Sequence, residues 1–401
     1  MFSTIDEIRA DLRAGRMVIL TDDEDRENEG DLVLPAQCVT PEAVTFMLSV
    51  ARGYMCLSMT EADCERLKLS PQSAVNTSAR GTAFTVSIDG HPKHGFSTGV
   101  SAKERAKSIL MAIDPAYGPD DFVRPGHINP LRSRDGGVLV RIGQTEGSVD
   151  LCRLAGLYPA AIIIEVMGDD GEMARLPALE VLAKKHNLKM CSVRQIIEHR
   201  LARGTHVQRM APESGRKIRT AEGEFTLFAF RSVGDALPHL ALTVGGVGTV
   251  ADDGTACQTP EPTMVRMHRR DLLGDIFLDL DSSSAGATGC TLRESMRMIQ
   301  REGRGAIVYL RPQWSGEGWR QQLQTPFEAS DEDRPHKSVS STMVEYGTGS
   351  QILRLLGLSK LRLITNSQAE YPQLDAFGLE IVERVPVAEN KQMGQSGKGG
   401  K

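Results

Sequence analysis

The 401-residue chain is poor in aromatics, at 5% with two tryptophans, and has no surplus of positive charge: 47 Lys and Arg stand against 52 Asp and Glu, a formal net charge of -5. The missing basic field excludes a broad nucleic-acid surface. No segment reaches the roughly 18 consecutive apolar residues of a membrane span. The opening MFSTIDEIRADLRAGR places acids where a secretion signal needs an apolar core. These absences predict a cytoplasmic protein with neither a membrane nor a nucleic-acid partner. The seven cysteines, at 38, 56, 64, 152, 191, 257 and 290, form no Cys-x-x-Cys or Cys-x-Cys pair, which removes the zinc knuckle and the redox dithiol. Reduced thiols in or near the core are expected instead.

A hydrophobic content of 40% over this length supports more than one core, and two units are expected. In the first, apolar spacing predicts a helix over 5–12, a strand over 17–20, a helix opened by Thr40-Pro41, and a strand over 54–59. Further on, it predicts a strand over 82–88, a helix from Ser101 to about Asp114, a strand over 137–141 and a helix through Val149–Ala155. The β-branched run 160–167 predicts a buried strand, followed by a helix over 176–186. Residues 204–222, rich in charge, Gly and Pro, read as a linker. The second unit then runs to 388, with strands over 225–230, 241–244, 263–267, 306–310 and 361–364. Its helices are expected over 292–300 and 349–356. Residues 315–341 form a long polar excursion, and 389–401 a disordered tail.

The chemistry concentrates in loops at element ends. Seven acids fall within the ten residues 22–31. Such crowding is repulsive unless a cation, an arginine or solvent offsets it, so the segment reads either as a hard-metal, polyol-phosphate site or as a solvated acidic turn. Glu27 is a hard oxygen donor, Asp31 an acceptor for a sugar hydroxyl, and Arg26 either neutralises the acids or grips phosphate. Ser97, Thr98, Arg141 and Thr145 supply the hydroxyls and cation expected around a phosphate. His127, after Pro-Gly, is placed for proton transfer or for satisfying its loop. Glu165, interrupting an otherwise apolar strand, is either an acid–base group with a raised pKa or a structural ion-pair partner.

The ordered motifs DDEDRENEGDLV, NTSARGTAFTVSI, STGVSAKERAKSI, RPGHINPLRSRDGGVLVRIGQTEGSVDLCRLAG and GDDGEMARLPALEVLAKKHNL span about residues 5 to 200. On them the first unit, residues 1–203, resembles 3,4-dihydroxy-2-butanone 4-phosphate synthase. The resemblance implies an α/β (α+β) fold with a mixed sheet, a homodimer, and magnesium- or manganese-dependent conversion of ribulose 5-phosphate to 3,4-dihydroxy-2-butanone 4-phosphate and formate. It further implies that Glu27 binds metal and lies with Arg26 by the substrate. Asp31 contacts the sugar, Arg141, Gly143, Gln144 and Thr145 hold the phosphate-bearing end, and His127 and Glu165 transfer protons. One place departs from the pattern: the family's second protein metal ligand is a histidine, and here it is Gln144. An amide oxygen still serves magnesium, directly or through water, but lacks the nitrogen that softer ions favour.

Residues 223–388 resemble GTP cyclohydrolase II through GEFTLFAF, HLALTVGG, MVRMH, LLGDIF, REGRGAIVYLR, EYGTGSQILRLLGL and GLEIVERVPV. The family's three zinc cysteines are absent. Asp271 stands at the first, and the stretch 279–284 reads Asp-Leu-Asp-Ser-Ser-Ser. The catalytic loop reads QWSGEGW over 313–319, and the phosphate-side pattern has become Asn366-Ser367-Gln368-Ala369-Glu370. No zinc and no GTP hydrolysis are expected; a stabilising, dimerising or regulatory module is. Trp314 and Trp319 read as partner anchors or as loop packing, and Asp271, Asp279 and Asp281 as a cation site or a solvated turn. Two other readings stand beside this one: a bifunctional enzyme, and a noncatalytic scaffold.

Overall fold

The chain divides into two units, residues 1–200 with 337–343, and the remainder. The computed structural model describes residues 2–387 apart from positions 25, 79, 205, 234, 236, 252–254, 281–282, 284–285, 312–338 and 368–373. The expected tail, the loop with Trp314 and Trp319, most of the polar excursion, Asp281 and residues 368–370 lie outside the described residues.

The first unit is built on strands β1 (Val18–Thr21), β2 (Gly30–Pro35), β3 (Cys56–Met59), β4 (Ile88–Gly90), β5 (Phe122–Arg132), β6 (Ala161–Glu165) and β7 (Lys189–Ser192). They form one mixed sheet in the order β4-β5-β3-β6-β2-β1-β7. Helices α1 (Ile5–Arg13), α2 (Pro41–Val50), α3 (Glu61–Arg66), α4 (Ala102–Ile113), α5 (Gln144–Ala155), α6 (Leu176–His186) and α7 (Val193–Arg203) connect them. Thr4, Thr40, Thr60 and Ser101 each accept a hydrogen bond from an amide in the first turn of α1, α2, α3 and α4, which fixes where those helices begin.

Strand parity sorts the sheet into two faces. Ile19, Leu32, Ile162 and Ile164 bury into the core with Val44 and Met47 of α2 and Ile109 of α4. The opposite row pairs Leu20 with Asp31 and Asp31 with Glu165. There α5 lies close because Gly147 has no side chain: a Cβ on it would stand 2.9 Å from Leu20 Cδ2. An acidic pair is thus set into an otherwise apolar face at one end of the sheet.

Three differences from the sequence reading have local causes. Residues 137–141 are not a strand. Gly136 and Gly137 have φ of 94° and 63°, and the Val138 amide donates to Asp150 Oδ2 at 2.9 Å, folding the run into a 3-10 turn before α5. Strand β5 hides behind Pro125 and Pro130, residues that argue against a strand. Its register with β4 jumps from Ile88↔Ile128 to Asp89↔Val123, so residues 124–127 bulge out between two paired positions. Residues 204–222, read as a linker, instead supply β8 (Val207–Arg209) and β9 (Arg216–Thr220), both paired to β10 (Gly223–Ser232). Three of the five residues of β9 are cationic and largely exposed, and β8 is only three residues long, so neither strand shows an apolar period in the sequence.

The second unit continues with β11 (His239–Val244), β12 (Thr263–Arg269), β13 (Gly305–Leu310), β14 (Lys360–Ile364) and β15 (Glu380–Val385). Its sheet runs β15-β14-β12-β13-β11-β10-β8 with β9 on β10, and α8 (Thr288–Glu302) belongs to it, as does α9 (Val339–Leu355) from Val344 onward. Phe228, Phe230, Val265, Val308 and Ile352 form a buried core.

Candidate active site

The acidic loop between β1 and β2 is tied down rather than loosely solvated. Asp22 is buried and accepts from the Glu27 and Glu29 amides at 3.1 and 2.9 Å, closing the loop on itself. Arg175 donates to the Glu27 and Asn28 carbonyls at 2.8 and 2.6 Å, and Arg80 donates to the Arg26 carbonyl. Asn28 takes a left-handed φ of 55°, a conformation that asparagine tolerates better than most residues.

Within this frame, Arg26 turns inward. Its Nη1 donates to Asp22 Oδ2 at 2.7 Å, Glu27 Oε2 at 2.5 Å and Gln144 Oε1 at 3.1 Å. Burial opposes the guanidinium's charge, yet the Glu27 and Asp22 carboxylates hold its pKa above the ordinary value. The carboxylate and the amide oxygen therefore converge on one positively charged nitrogen. That is the donor chemistry a hard divalent cation requires: oxygens only, one of them charged. Glu27 and Gln144 fit such an ion.

Gln144 opens α5, and Gly143 caps it without a side chain. A Cβ on Gly143 would lie 2.6 Å from Arg141 Nη1 and 3.1 Å from Arg26 Nη2, so two guanidinium groups crowd the helix N-terminus. The start of α5 and two guanidinium groups thus form a donor-rich corner of a kind suited to an anion. Arg141 is itself held: Nη1 pairs with the buried Glu146 Oε2 at 2.6 Å and Nη2 donates to Thr82 Oγ1 at 3.1 Å. Burial raises the Glu146 pKa even though Arg141 pulls it down. Thr145 is buried in the first turn of α5.

Asp31 and Glu165 face each other across the β2–β6 ladder. Burial, then Glu165 and the loop carboxylates, push the Asp31 pKa well above the carboxylate range. Its Oδ1 is fully buried with no hydrogen-bond partner. Burial raises Glu165 as well, against the pull of the Tyr54 amide, which donates to Oε2 at 2.8 Å. Two carboxylates on neighbouring strands, about 5 Å apart, each disfavour the other's ionisation. Gly53 lets the 52–54 segment lie against Glu165: a Cβ there would stand 2.3 Å from the Glu165 carbonyl oxygen.

His127 ends the β5 bulge, two residues before the Asn129–Cys56 pair; Cys56 in turn pairs with Ile163, two residues before Glu165. His127 therefore lies at the same end of the sheet as the acidic pair. Its Nδ1 is 2.6 Å from Asp89 Oδ2. Ser97 donates its amide and hydroxyl to Glu104 at 2.5 and 2.9 Å, and the Ser97–Thr98–Gly99 turn packs on Asp89 through Gly99. No hydrogen bond joins Ser97, Thr98 or His127 to the Glu27–Gln144 group among the described residues. Sequence reasoning missed Asp22, Asp89, Glu146 and Arg175 as organisers. The signal for Asp89 was slight: one acid closing the alternating 84–88 stretch.

In the second unit, the position of the family's first zinc cysteine is a loop organiser. Asp271 Oδ1 accepts from the Gly274 amide at 3.2 Å. Asp275 accepts from Thr288 Oγ1 at 2.9 Å, Tyr309 Oη at 2.7 Å and the Asp271 amide at 3.0 Å, and lies 2.8 Å from His268 Nε2. Among the described residues no group of three or more His, Cys, Asp or Glu is disposed to hold a metal ion.

Comparison with known proteins bears on both units. Residues 6–199 match the family model for 3,4-dihydroxy-2-butanone 4-phosphate synthase, and residues 211–386 that for GTP cyclohydrolase II. The chain is 44% identical over 395 residues to riboflavin biosynthesis protein RibBA of Aquifex aeolicus, covering 96% of this chain and 92% of that one. It is 42% identical over 391 residues to RibBA of Cytophaga hutchinsonii, with the same coverages. Among solved structures, RibBX of A. baumannii, a two-domain 3,4-dihydroxy-2-butanone 4-phosphate synthase, superposes with a TM-score of 0.76 at 33% identity, covering 96% of this chain and 100% of that one. The chain therefore belongs to the riboflavin biosynthesis family in which a 3,4-dihydroxy-2-butanone 4-phosphate synthase, a lyase, is joined to a GTP cyclohydrolase II-type unit.

Proposed function

We propose that the first unit converts D-ribulose 5-phosphate to L-3,4-dihydroxy-2-butanone 4-phosphate and formate, with Mg2+ or Mn2+ held by Glu27 and Gln144. The observation that carries this reading is the convergence of the Glu27 carboxylate and the Gln144 amide oxygen on one cationic point, on the face of the sheet that holds Asp31 and Glu165. A divalent ion held by Glu27 and Gln144 would supply stabilisation for negative charge developing on substrate oxygens. Arg141, Gly143 and Thr145 at the start of α5, with Ser97 and Thr98, receive the phosphate; Asp31 meets the sugar hydroxyls. The pair Asp31 and Glu165 holds a proton that Glu165 delivers or accepts, and His127 is the second proton-transfer group. The assay is formate release from ribulose 5-phosphate with and without Mg2+, wild type beside Glu27→Ala, with circular dichroism to verify folding. Cation-dependent formate that falls at least about 100-fold in the folded variant is expected; cation-independent formate, or none, overturns the reading.

For the second unit we propose a role without GTP hydrolysis. Asp271 and Asp275 are engaged in loop and ring contacts, and the sequence offers no three-thiolate set for zinc. The resemblance to dimeric synthases extends the proposal to a homodimer, twice the 43.7 kDa chain in light scattering.

A further inference from the structure

Three arginines gather near the start of α5, and two of them are balanced by acids. Arg26 pairs with Asp22 and Glu27, and Arg141 pairs with the buried Glu146. Arg80 is the third. It is exposed, and among the described residues no carboxylate pairs with it; its side chain donates through Nη2 to the Arg26 carbonyl. Its own carbonyl accepts from Arg141 Nε and Nη2, both at 3.4 Å, which sets the Arg80 backbone against the Arg141 guanidinium.

The segment carrying Arg80 is folded on itself. Asn76 Nδ2 donates to the Thr82 carbonyl at 2.9 Å, the Gly81 amide donates to the Ser78 carbonyl at 3.0 Å, and Gly81 takes the left-handed φ of 61° that closes the turn. Thr82 Oγ1 accepts from Arg141 Nη2 at 3.1 Å. Arg80 is thus presented at a defined place between Arg141 and the backbone of Arg26. Holding a carbonyl does not require a charge, since any N–H donor serves. An uncompensated guanidinium beside two others is offset only when an anion arrives.

We propose that Arg80 is a phosphate-binding residue that joins Arg141 and the start of α5 in gripping the substrate phosphate, and so selects a phosphorylated sugar over a free one; this rests on the reading of that corner as the phosphate subsite. A phosphate monoester carries about two negative charges near neutrality. The charges of Arg26 and Arg141 are already met by carboxylates, so Arg80 supplies the net positive charge that the dianion needs. The competing role is a latch that merely ties the 76–82 turn to the acidic loop.

Arg80→Gln separates the two: it keeps a donor for the Arg26 carbonyl and removes the charge, whereas Arg80→Lys keeps the charge. Titration of inorganic phosphate onto the full-length protein, followed by phosphorus NMR, is expected to show a Kd at least about tenfold weaker in Arg80→Gln and within about threefold of wild type in Arg80→Lys. In the ribulose 5-phosphate assay, KM rises by a similar factor in Arg80→Gln, while kcat and the Mg2+ concentration for half-activation stay within about threefold. Equal phosphate binding by wild type and Arg80→Gln, or none by either, overturns the proposal. So does an unchanged phosphate Kd with a raised Mg2+ requirement, the mark of a latch on the loop that carries Glu27. Should Arg80→Gln fail to fold by circular dichroism, Arg80→Ala, a truncation that leaves no cavity at an exposed position, decides in its place. Phosphate binding is read without turnover, which keeps the two failures apart. Arg80-dependent phosphate binding in a protein that releases no formate removes the reaction and keeps the anion site, whereas normal turnover with Arg80-independent phosphate binding removes only the role of Arg80.

Discussion

The Asp31 carboxyl, buried opposite Glu165 with one oxygen unpartnered, holds its proton more tightly in the folded chain than in the unfolded one. Its contribution to stability is therefore complete below the ordinary carboxylate pKa of about 4 and is lost as pH rises through the raised folded value. Asp31→Asn, which keeps the neutral shape, should melt progressively higher than wild type as pH rises above the ordinary carboxylate pKa of about 4, a difference read by thermal denaturation at a series of pH values. A pH-independent difference would show that the carboxyl ionises as it does in the unfolded chain. Gln144 makes the second prediction at this scale. Replacing its amide by imidazole in Gln144→His adds a softer donor beside Glu27. Calorimetric titration should show the Mn2+ affinity rising about tenfold relative to that for Mg2+; an unchanged ratio would place position 144 away from the ion.

Among the elements, the decisive ones are α5 and the β4–β5 pair. Gly143 caps helix α5 at a place where a side chain would strike Arg141, and the helix lies on the sheet because Gly147 fits against Leu20. One helix thus delivers Gln144 to the acidic loop and Thr145 and Glu146 to the anion corner. The β5 bulge delivers His127, and its cost-free fit depends on Gly126. Gly126→Ala drives a methyl into the Ile88–Asp89 peptide, backbone that cannot yield without unpairing β4. A loss of about 2 to 3 kcal/mol in urea denaturation is expected, with the Asp89–His127 contact weakened alongside. A variant as stable as wild type would mean that the bulge is pliable.

Across the whole molecule, the two units show different relations between fold and chemistry. The first gathers acids, arginines and a histidine at one end of its sheet. The second keeps a full mixed sheet and a buried aromatic core, while its aspartates serve hydrogen bonds. Purified full-length protein should carry well under 0.1 zinc per chain by elemental analysis and release no formate from GTP, since a near-tetrahedral zinc needs about four ligands. Stoichiometric zinc with GTP turnover would make the protein bifunctional. No helix among the described residues is long and apolar enough to cross a membrane.

The sequence by itself determined the helix starts near Ile5, at Thr40 and at Ser101, the apolar strand that carries Glu165, the two family resemblances and the oxygen-rich character of 22–31. All of these are local: a cap, a period or a motif is complete within a dozen residues. Only the tertiary structure decided that Arg26 bridges Glu27 and Gln144 across 118 residues, that Asp89 grips His127 across 38, and that Asp31 faces Glu165. Register, bulges and the glycine-permitted approaches that create those meetings are settled by packing between distant segments. A one-residue slip in any strand would have turned the same acids toward the opposite face.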